Sequence, residues 1–295
     1  MVKKLLDIIK ENSKPMDPVA TGLNASSIAV KNIKSVIFDI YGTLLQSATG
    51  DIGSNKKQSK SGYFLDALKQ SGIIILNSKA GQTGLDYFYE EIDLAHKKSK
   101  KMGVTYPEVI ITDIWDTVLT KLIKSKLIYS KNPNIGEIAV LFECKVNPVW
   151  PMPDLLKAIK YLQSRNVIMG IISNAQFYTP LLFKALLGTT LEEMGFYSEL
   201  IEYSYVNGEA KPSANMFKTV KDNLLTKFNI TPEDTIYIGN DMLNDIYSAK
   251  MEGFKTALFA GDLRSLRLRL DIPELLKEKP DIVITNLNQI IELVK

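Results

Sequence analysis

Four short polar clusters, each following an apolar run, carry the groups in this chain that could do chemistry. In order they are Phe38-Asp39-Ile40-Tyr41-Gly42-Thr43-Leu44, Ile171-Ile172-Ser173-Asn174, Gly208-Glu209-Ala210-Lys211-Pro212 and Gly239-Asn240-Asp241-Met242-Leu243-Asn244-Asp245. A carboxylate such as Asp39 is a usable covalent nucleophile: it can attack phosphorus or carbon and leave an acyl intermediate that water cleaves. Thr43, Ser173 and neighbouring backbone N–H groups can hold oxyanions, while Lys211 can restrain Asp39 and neutralise a transferring anion. Asp241 and Asp245, set opposite Asp39, would repel one another without a cation between them. Hard oxygen donors beside an anionic substrate suit Mg2+. Cys144 is the only cysteine and His96 the only histidine, so an intrachain disulfide, a four-cysteine site and a multi-histidine site are all excluded.

Such clusters work only if the fold gathers them. The length of 295 residues suggests about two domains. Ser35–Ile40 is a continuous apolar run of the kind a buried parallel strand shows. Beyond residue 153, strand and helix signals alternate. Strands are predicted at Val167–Ser173, near Leu200–Tyr203, and at Thr235–Ile238, Lys255–Phe259 and Asp281–Thr285. Helices are predicted at Asp154–Arg165, Thr179–Leu187, Ser213–Phe228, Asn244–Glu252, Pro273–Lys277 and Asn288–Val294. That alternation predicts an α/β fold, a doubly wound Rossmann-like parallel sheet. Polar strand ends in such a sheet face one crevice.

Residues 54–147 differ. Helices are predicted at Tyr63–Gln70, Leu85–Lys101, Glu108–Lys124 and Ile135–Cys144, with one short strand candidate at Ile73–Leu76. The segment reads as an inserted α-helical cap domain, with the proline-rich Val146–Pro153 as the hinge back. Residues 1–33 form an N-terminal extension: an amphipathic helix over 2–12, then a linker or strap over Ser13–Ser27. The core is then 34–53 plus 148–295.

The order FDIYGTL, IISN, KP and GNDMLND resembles the haloacid dehalogenase-like (HAD) hydrolase superfamily, and the helical insert falls where that superfamily carries a cap. The resemblance implies that Asp39 is the nucleophile and that Ser173 and Lys211 clamp the substrate anion, with Thr43 and Asn174 beside them. It implies a Mg2+ site made of Asp39, the Tyr41 carbonyl and an acid of the fourth cluster. Asn240 stands where a common form of that cluster has its first acid, Asp241 is shifted by one, and Asp245 follows. Asp241 is expected as the close ligand and Asp245 as the more distant one. The segment Leu45–Gly53 corresponds to the flap leading into the cap.

Tyr41 bears on the reaction. Phosphatase members of the superfamily typically carry an Asp at that position, which protonates the leaving oxygen and then activates water. A phenol near pKa 10 is a poor base at neutral pH, and losing general acid–base catalysis costs about 10²–10⁴-fold. The penalty is small when the leaving group needs no proton, as with halide, and milder for aryl and acyl phosphates. The Asp-x-Tyr-Gly-Thr-Leu form resembles L-2-haloacid dehalogenases, which displace halide from carbon without a metal. Those enzymes use a cap Arg, whereas no Arg precedes Arg165 here, and their fourth cluster lacks the acidic pair. Three readings stay open: a Mg2+-dependent phosphatase acting on a small phosphorylated metabolite, a 2-haloacid dehalogenase-type hydrolase, and a non-catalytic HAD-like binding protein.

The remaining residues read plainly. His96 belongs to a solvated helix face, Cys144 to an apolar packing position, Trp115 to the cap core and Trp150 to the hinge. Arg264, Arg267 and Arg269 read as surface residues. Gly42 allows the chain to leave the first strand sharply. With 36 basic against 33 acidic residues the net charge is +3, too small to indicate nucleic acid or membrane binding. No apolar run approaches the ~18 residues of a membrane span, and the N-terminus has no secretory pattern. The expectation is a reduced, cytoplasmic protein with a small-molecule partner.

Overall fold

The computed structural model of the chain describes residues 2–26, 30, 32–48 and 57–294. Its centre is a six-stranded sheet, all parallel. The strands, in chain order, are β1 (Ser35–Phe38), β2 (Ile168–Ser173), β3 (Phe196–Tyr203), β4 (Thr235–Gly239), β5 (Lys255–Phe259) and β6 (Ile282–Ile284). They lie in the order β6-β5-β4-β1-β2-β3. The chain therefore builds outward from β1 to β3, crosses back, and builds outward again from β4. β1 sits at that reversal, with Ser35–Phe38 in register with Ile168–Ile171 on one side and Thr235–Ile238 on the other. A crevice opens beyond the strand ends where the winding reverses.

The apolar runs follow from burial on both faces. All four residues of β1 are buried. Val36 and Phe38 pack on the side of helix Leu155–Ser164, with Leu155, Ala158, Ile159 and Leu162. Ile37 points the other way, against Met216, Phe217 and Val220 of helix Asn215–Phe228. Tyr237 of β4 lies on that second face, which aims its phenol at the Lys211 loop.

Between the two halves of the core stand four helices, Lys57–Gln70, Ala80–Lys101, Ile111–Lys124 and Ile135–Val146. Their shared core is an aromatic knot. Phe64 stacks on Trp115 at 4.8 Å between centroids, and Phe88 and Phe142 meet both rings. The strand candidate near Ile73–Leu76 is a two-residue antiparallel pair of Ile74–Ile75 with Ile128–Tyr129. The two crossings into and out of this insert pair antiparallel, Leu45–Ser47 with Val149–Pro151. Residues 49–53 of the expected flap, and the expected cap boundary at 53/54, lie outside the described residues.

The N-terminal helix is Val2–Asn12. It buries Leu5, Ile8 and Ile9 against the insert helix Ile135–Val146 and the core helix Thr179–Leu187. It thus touches both bodies. Residues 16–26 then run over the loops of the sheet. Thr21 bonds the Ala260 carbonyl, and Val283 N donates to Ser26 Oγ.

Three predicted helices take other forms. The stretch predicted as helix Asn244–Glu252 opens as a π-helical turn, Met242–Tyr247, before a short α segment, Ser248–Met251. The Ile246 N–H reaches back to the Asp241 carbonyl, widening the turn, and such turns are frequent at functional sites. Near the C-terminus, Pro273–Leu275 and Leu287–Val294 are 3-10 rather than α.

Candidate active site

Asp39 follows β1 directly, Ser173 ends β2, and Asn240 and Asp241 follow β4. Neighbouring parallel strands in register therefore deliver these groups to one place. Lys211 arrives from the loop beyond β3. Its backbone N–H donates to Asn174 Oδ1 at 2.7 Å, so Asn174 fixes the loop that carries the lysine.

Lys211 Nζ is the hub. It donates to Asp39 Oδ1 at 2.8 Å, Asp245 Oδ1 at 2.5 Å, the Tyr237 hydroxyl at 3.0 Å and the Ile172 carbonyl at 3.3 Å. Burial alone would depress this ammonium, but the charges of Asp245 and Asp39 outweigh it and raise its pKa. Asp245 is raised by burial, with Lys211 pulling the other way. Ser173 Oγ donates to the same Asp39 Oδ1 at 2.9 Å. Asp39 Oδ1 is thus held twice, while Oδ2 accepts no hydrogen bond among the described residues. Asp39, Lys211, Asp241 and Asp245 all border one cavity of about 390 Å³, roofed by the helical insert.

Thr43 and Asn240 do something other than face that cavity with free groups. Thr43 Oγ1 donates to Asn240 Oδ1 at 3.1 Å, and Asn240 Nδ2 donates to the Ser265 carbonyl at 2.7 Å. The two residues latch the first loop to the fourth. Gly42 makes the latch possible. Its φ is +87°, and a Cβ there would come 2.6 Å from Ser265 Cβ and 2.7 Å from Asn240 Nδ2.

Asp241 takes three roles at once. Its Oδ1 caps the Leu243 and Asn244 N–H groups at 2.9 and 3.2 Å, and Arg269 grips both oxygens through Nε (3.1 and 3.2 Å) and Nη2 (2.5 Å). Asp245 Oδ2 accepts from the Asp241 N–H at 2.9 Å. The arginines expected at the surface are corrected here. Arg269 is half-buried on Asp241, Arg267 borders the cavity, and Arg264 clasps Asp262 and Gln46. The physical reason is a parallel bridge between Asp241 and Arg267, which brings the 265–269 segment alongside the fourth cluster.

Tested as a Mg2+ cage, this donor set falls short. Asn240 spends both ends of its amide, Asp241 is covered by a guanidinium, and Asp245 is committed to Lys211, Tyr237 and a backbone N–H. Asp39 Oδ2 and the Tyr41 carbonyl remain. Among the described residues, no group of three or more His, Cys, Asp or Glu side chains is arranged to hold a metal ion. The cation expected between the acids is supplied by Lys211 and Arg269, so no chemical step below passes through a metal.

Tyr41 borders the cavity and hydrogen-bonds Thr179 through its hydroxyl at 2.9 Å. Burial, reinforced by the Glu143 charge, raises its phenol well above the ordinary range. It stays protonated at neutral pH and cannot act as the base. The roof adds Glu108 and Glu143, both raised by burial, and the edge adds Asn147, Gln176 and Tyr178. Gln176 staples roof to core: its amide donates to the Val109 carbonyl at 2.9 Å and accepts from the Ile111 N–H at 3.1 Å. Sequence reasoning missed Tyr237, Arg269 and these rim residues. Only the arginines left a signal, being confined to the chain's second half and clustered after Gly261-Asp262.

A parallel sheet whose central strand ends in a lysine-held carboxylate, under a helical roof, is an α/β architecture with one buried acid–lysine site. A family model, haloacid dehalogenase-like hydrolase, matches residues 33–253. The chain belongs to that family and is a hydrolase. It is 30% identical over 145 residues to a glyceraldehyde 3-phosphate phosphatase of Pyrococcus furiosus, covering 49% of this chain and 54% of that protein. The match thus spans about half the length of that relative. Among solved structures, 2-haloacid dehalogenase from Pseudomonas syringae pv. Tomato DC3000 superposes with a TM-score of 0.57 at 18% identity, covering 88% of this chain and 97% of that one. A HAD phosphatase from Thermococcus onnurineus gives 0.49 at 15%, covering 88% and 97%. Among the described residues, no helix is long and apolar enough to cross a membrane.

Proposed function

We propose that this hydrolase removes phosphate from a small phosphorylated metabolite through an aspartyl-phosphate at Asp39. The observation that carries the reading is the asymmetry of that carboxylate. Oδ1 is held by Ser173 and Lys211, which leaves Oδ2 as the attacking atom beside the cavity. Oδ2 forms a bond to phosphorus as the bond from phosphorus to the ester oxygen breaks, and the organic oxygen leaves with the electron pair. Water then attacks phosphorus, frees phosphate and restores the carboxylate. Lys211 offsets negative charge at both steps. The relative that shares 30% identity over half its length is a phosphatase, which supports the choice of phosphorus over carbon.

Because Tyr41 stays protonated yet is a weak acid, leaving groups that depart as stable anions are favoured. A second reading, displacement of halide from carbon by the same Asp39, is favoured by that feature and by the coverage of Asp241 by Arg269. One assay separates them. Aryl, acyl and alkyl phosphates are compared with 2-chloropropionate, scoring phosphate and chloride release. Aryl and acyl phosphates are expected to turn over faster than alkyl ones, and Asp39→Asn is expected to abolish turnover with an unchanged circular dichroism spectrum. Chloride release without phosphate release would transfer the site to carbon, and full activity of Asp39→Asn would remove the nucleophile.

A further inference from the structure

The roof of the cavity adds two carboxyls to a floor that already holds Asp39, Asp241 and Asp245, where positive charge comes from the core side alone. Lys211 and Arg267 border the cavity from the core. The insert contributes Glu108 and Glu143, and the neutral groups of Asn147, Gln176 and Tyr178 lie around them. Glu108 is held in place by the Val109 N–H at 2.8 Å and Ser204 Oγ at 2.8 Å. Glu143 accepts from Asn147 Nδ2 at 3.2 Å, bonds Tyr178, and feels the buried Lys60 behind it. The segment bearing Glu108 is itself docked on the lysine loop, since the Glu108 N–H donates to the Gly208 carbonyl at 3.0 Å and the Ala210 N–H to the Tyr106 carbonyl at 2.8 Å. These carboxyls therefore hold fixed positions relative to Asp39. A substrate whose phosphoryl group meets Asp39 and Lys211 shares the cavity with them.

We propose that the site selects phosphate monoesters whose organic part is neutral or cationic and rich in hydrogen-bond donors, a polyol or an amine, and turns away phosphorylated acids. Carboxylate oxygens accept hydrogen bonds and have none to give, so hydroxyl or ammonium groups pair with Glu108 and Glu143. A second acid on the substrate would stand among like charges in a partly desolvated space. This inference rests on the phosphohydrolase reading above and adds the class of ester.

The test is competition against p-nitrophenyl phosphate hydrolysis by the intact protein, which removes leaving-group differences from the comparison. Inhibition constants are measured for glycerol 3-phosphate and ethanolamine phosphate, and for their acidic counterparts 3-phosphoglycerate and phosphoglycolate. Each non-acidic ester is expected to bind at least about tenfold more tightly than its counterpart, equivalent to about 1.4 kcal/mol. Glu108→Gln and Glu143→Gln should each shrink that ratio, a readout that a purely structural role for the carboxyls would not move. If the aryl ester turns over and the acids bind as well as the polyol and amine esters, the inference is overturned while the phosphohydrolase reading stands. If no phosphate ester is hydrolysed, both fall.

Discussion

Lys211→Met offers the sharpest perturbation of this site, since methionine keeps most of the side-chain length while deleting the charge. The ammonium lies 2.8 Å from Asp39 Oδ1 and 2.5 Å from Asp245 Oδ1, and all three side chains are buried. At an effective dielectric of ~20, each contact corresponds to about 6 kcal/mol of gross attraction. Most of that is offset by the cost of taking three charges out of water. Deleting the cation leaves the cost without the attraction, and breaking such a buried pair destabilises by about 3–5 kcal/mol. The loss must also depend on pH. Asp245 is already raised by burial, and Lys211 is what restrains it. Without the lysine it rises further above its unfolded value near 3.9. A carboxyl whose folded pKa exceeds its unfolded value makes the native state less stable as pH climbs between the two. Urea unfolding of wild type and variant from pH 4 to pH 8 should therefore show a small deficit at the acid end and the full one above pH 7. Adding Asp245→Asn should return more than half of it. A deficit below about 1 kcal/mol at pH 7, or one that is flat with pH, would refute the picture of a lysine buried between two ionised acids.

Arg269→Met uncovers both oxygens of Asp241, so calorimetry on the intact protein should show Mg2+ binding at least about tenfold tighter in the variant than any seen in wild type; equally tight binding by the two proteins would mean that Arg269 does not occupy the place of the ion. In wild type, the acid limb of kcat/KM should lie above the ordinary Asp range, because falling pH protonates Asp245 early and loosens its hold on Lys211. Asp245→Asn should remove that limb and leave a slower, flatter profile, whereas an unchanged limb would assign it to another group.

The scaffold was legible because its signals are local and redundant. β1, β2 and β4 are apolar runs whose ends coincide with polar clusters, and burial on both faces leaves few other uses for such runs. Helix Thr179–Leu187 has Pro180 in its first turn and Gly188 at its end, and both boundaries match the expectation. What failed depends on distant partners. The pairing of Leu45–Ser47 with Val149–Pro151 joins segments a hundred residues apart and has no local period. The π turn at Met242 comes from the Asp241 carbonyl accepting across a wide loop, which no propensity scale encodes.

The site was legible in the same uneven way, and the division has a physical origin. Asp39 and Ser173 were legible because they stand at the ends of central strands, and Lys211 and Asp245 because they follow in the loops beyond β3 and β4, so one-dimensional order already implies three-dimensional neighbourhood. Their assigned uses were harder to read. Thr43, Ser173 and Asn174 were expected to grip substrate, and in the structure their side chains hold Asn240, Asp39 and the lysine loop, because buried polar groups take hydrogen-bond partners from the chain packed beside them. The same demand explains Arg269. Two acids next to Asp39 required positive charge, and sequence reasoning filled the need with an ion from outside. The chain meets it from within, with Lys211 between Asp39 and Asp245 and Arg269 on Asp241. A requirement for charge follows from the residues themselves; the side chain that supplies it depends on which loops the sheet brings together.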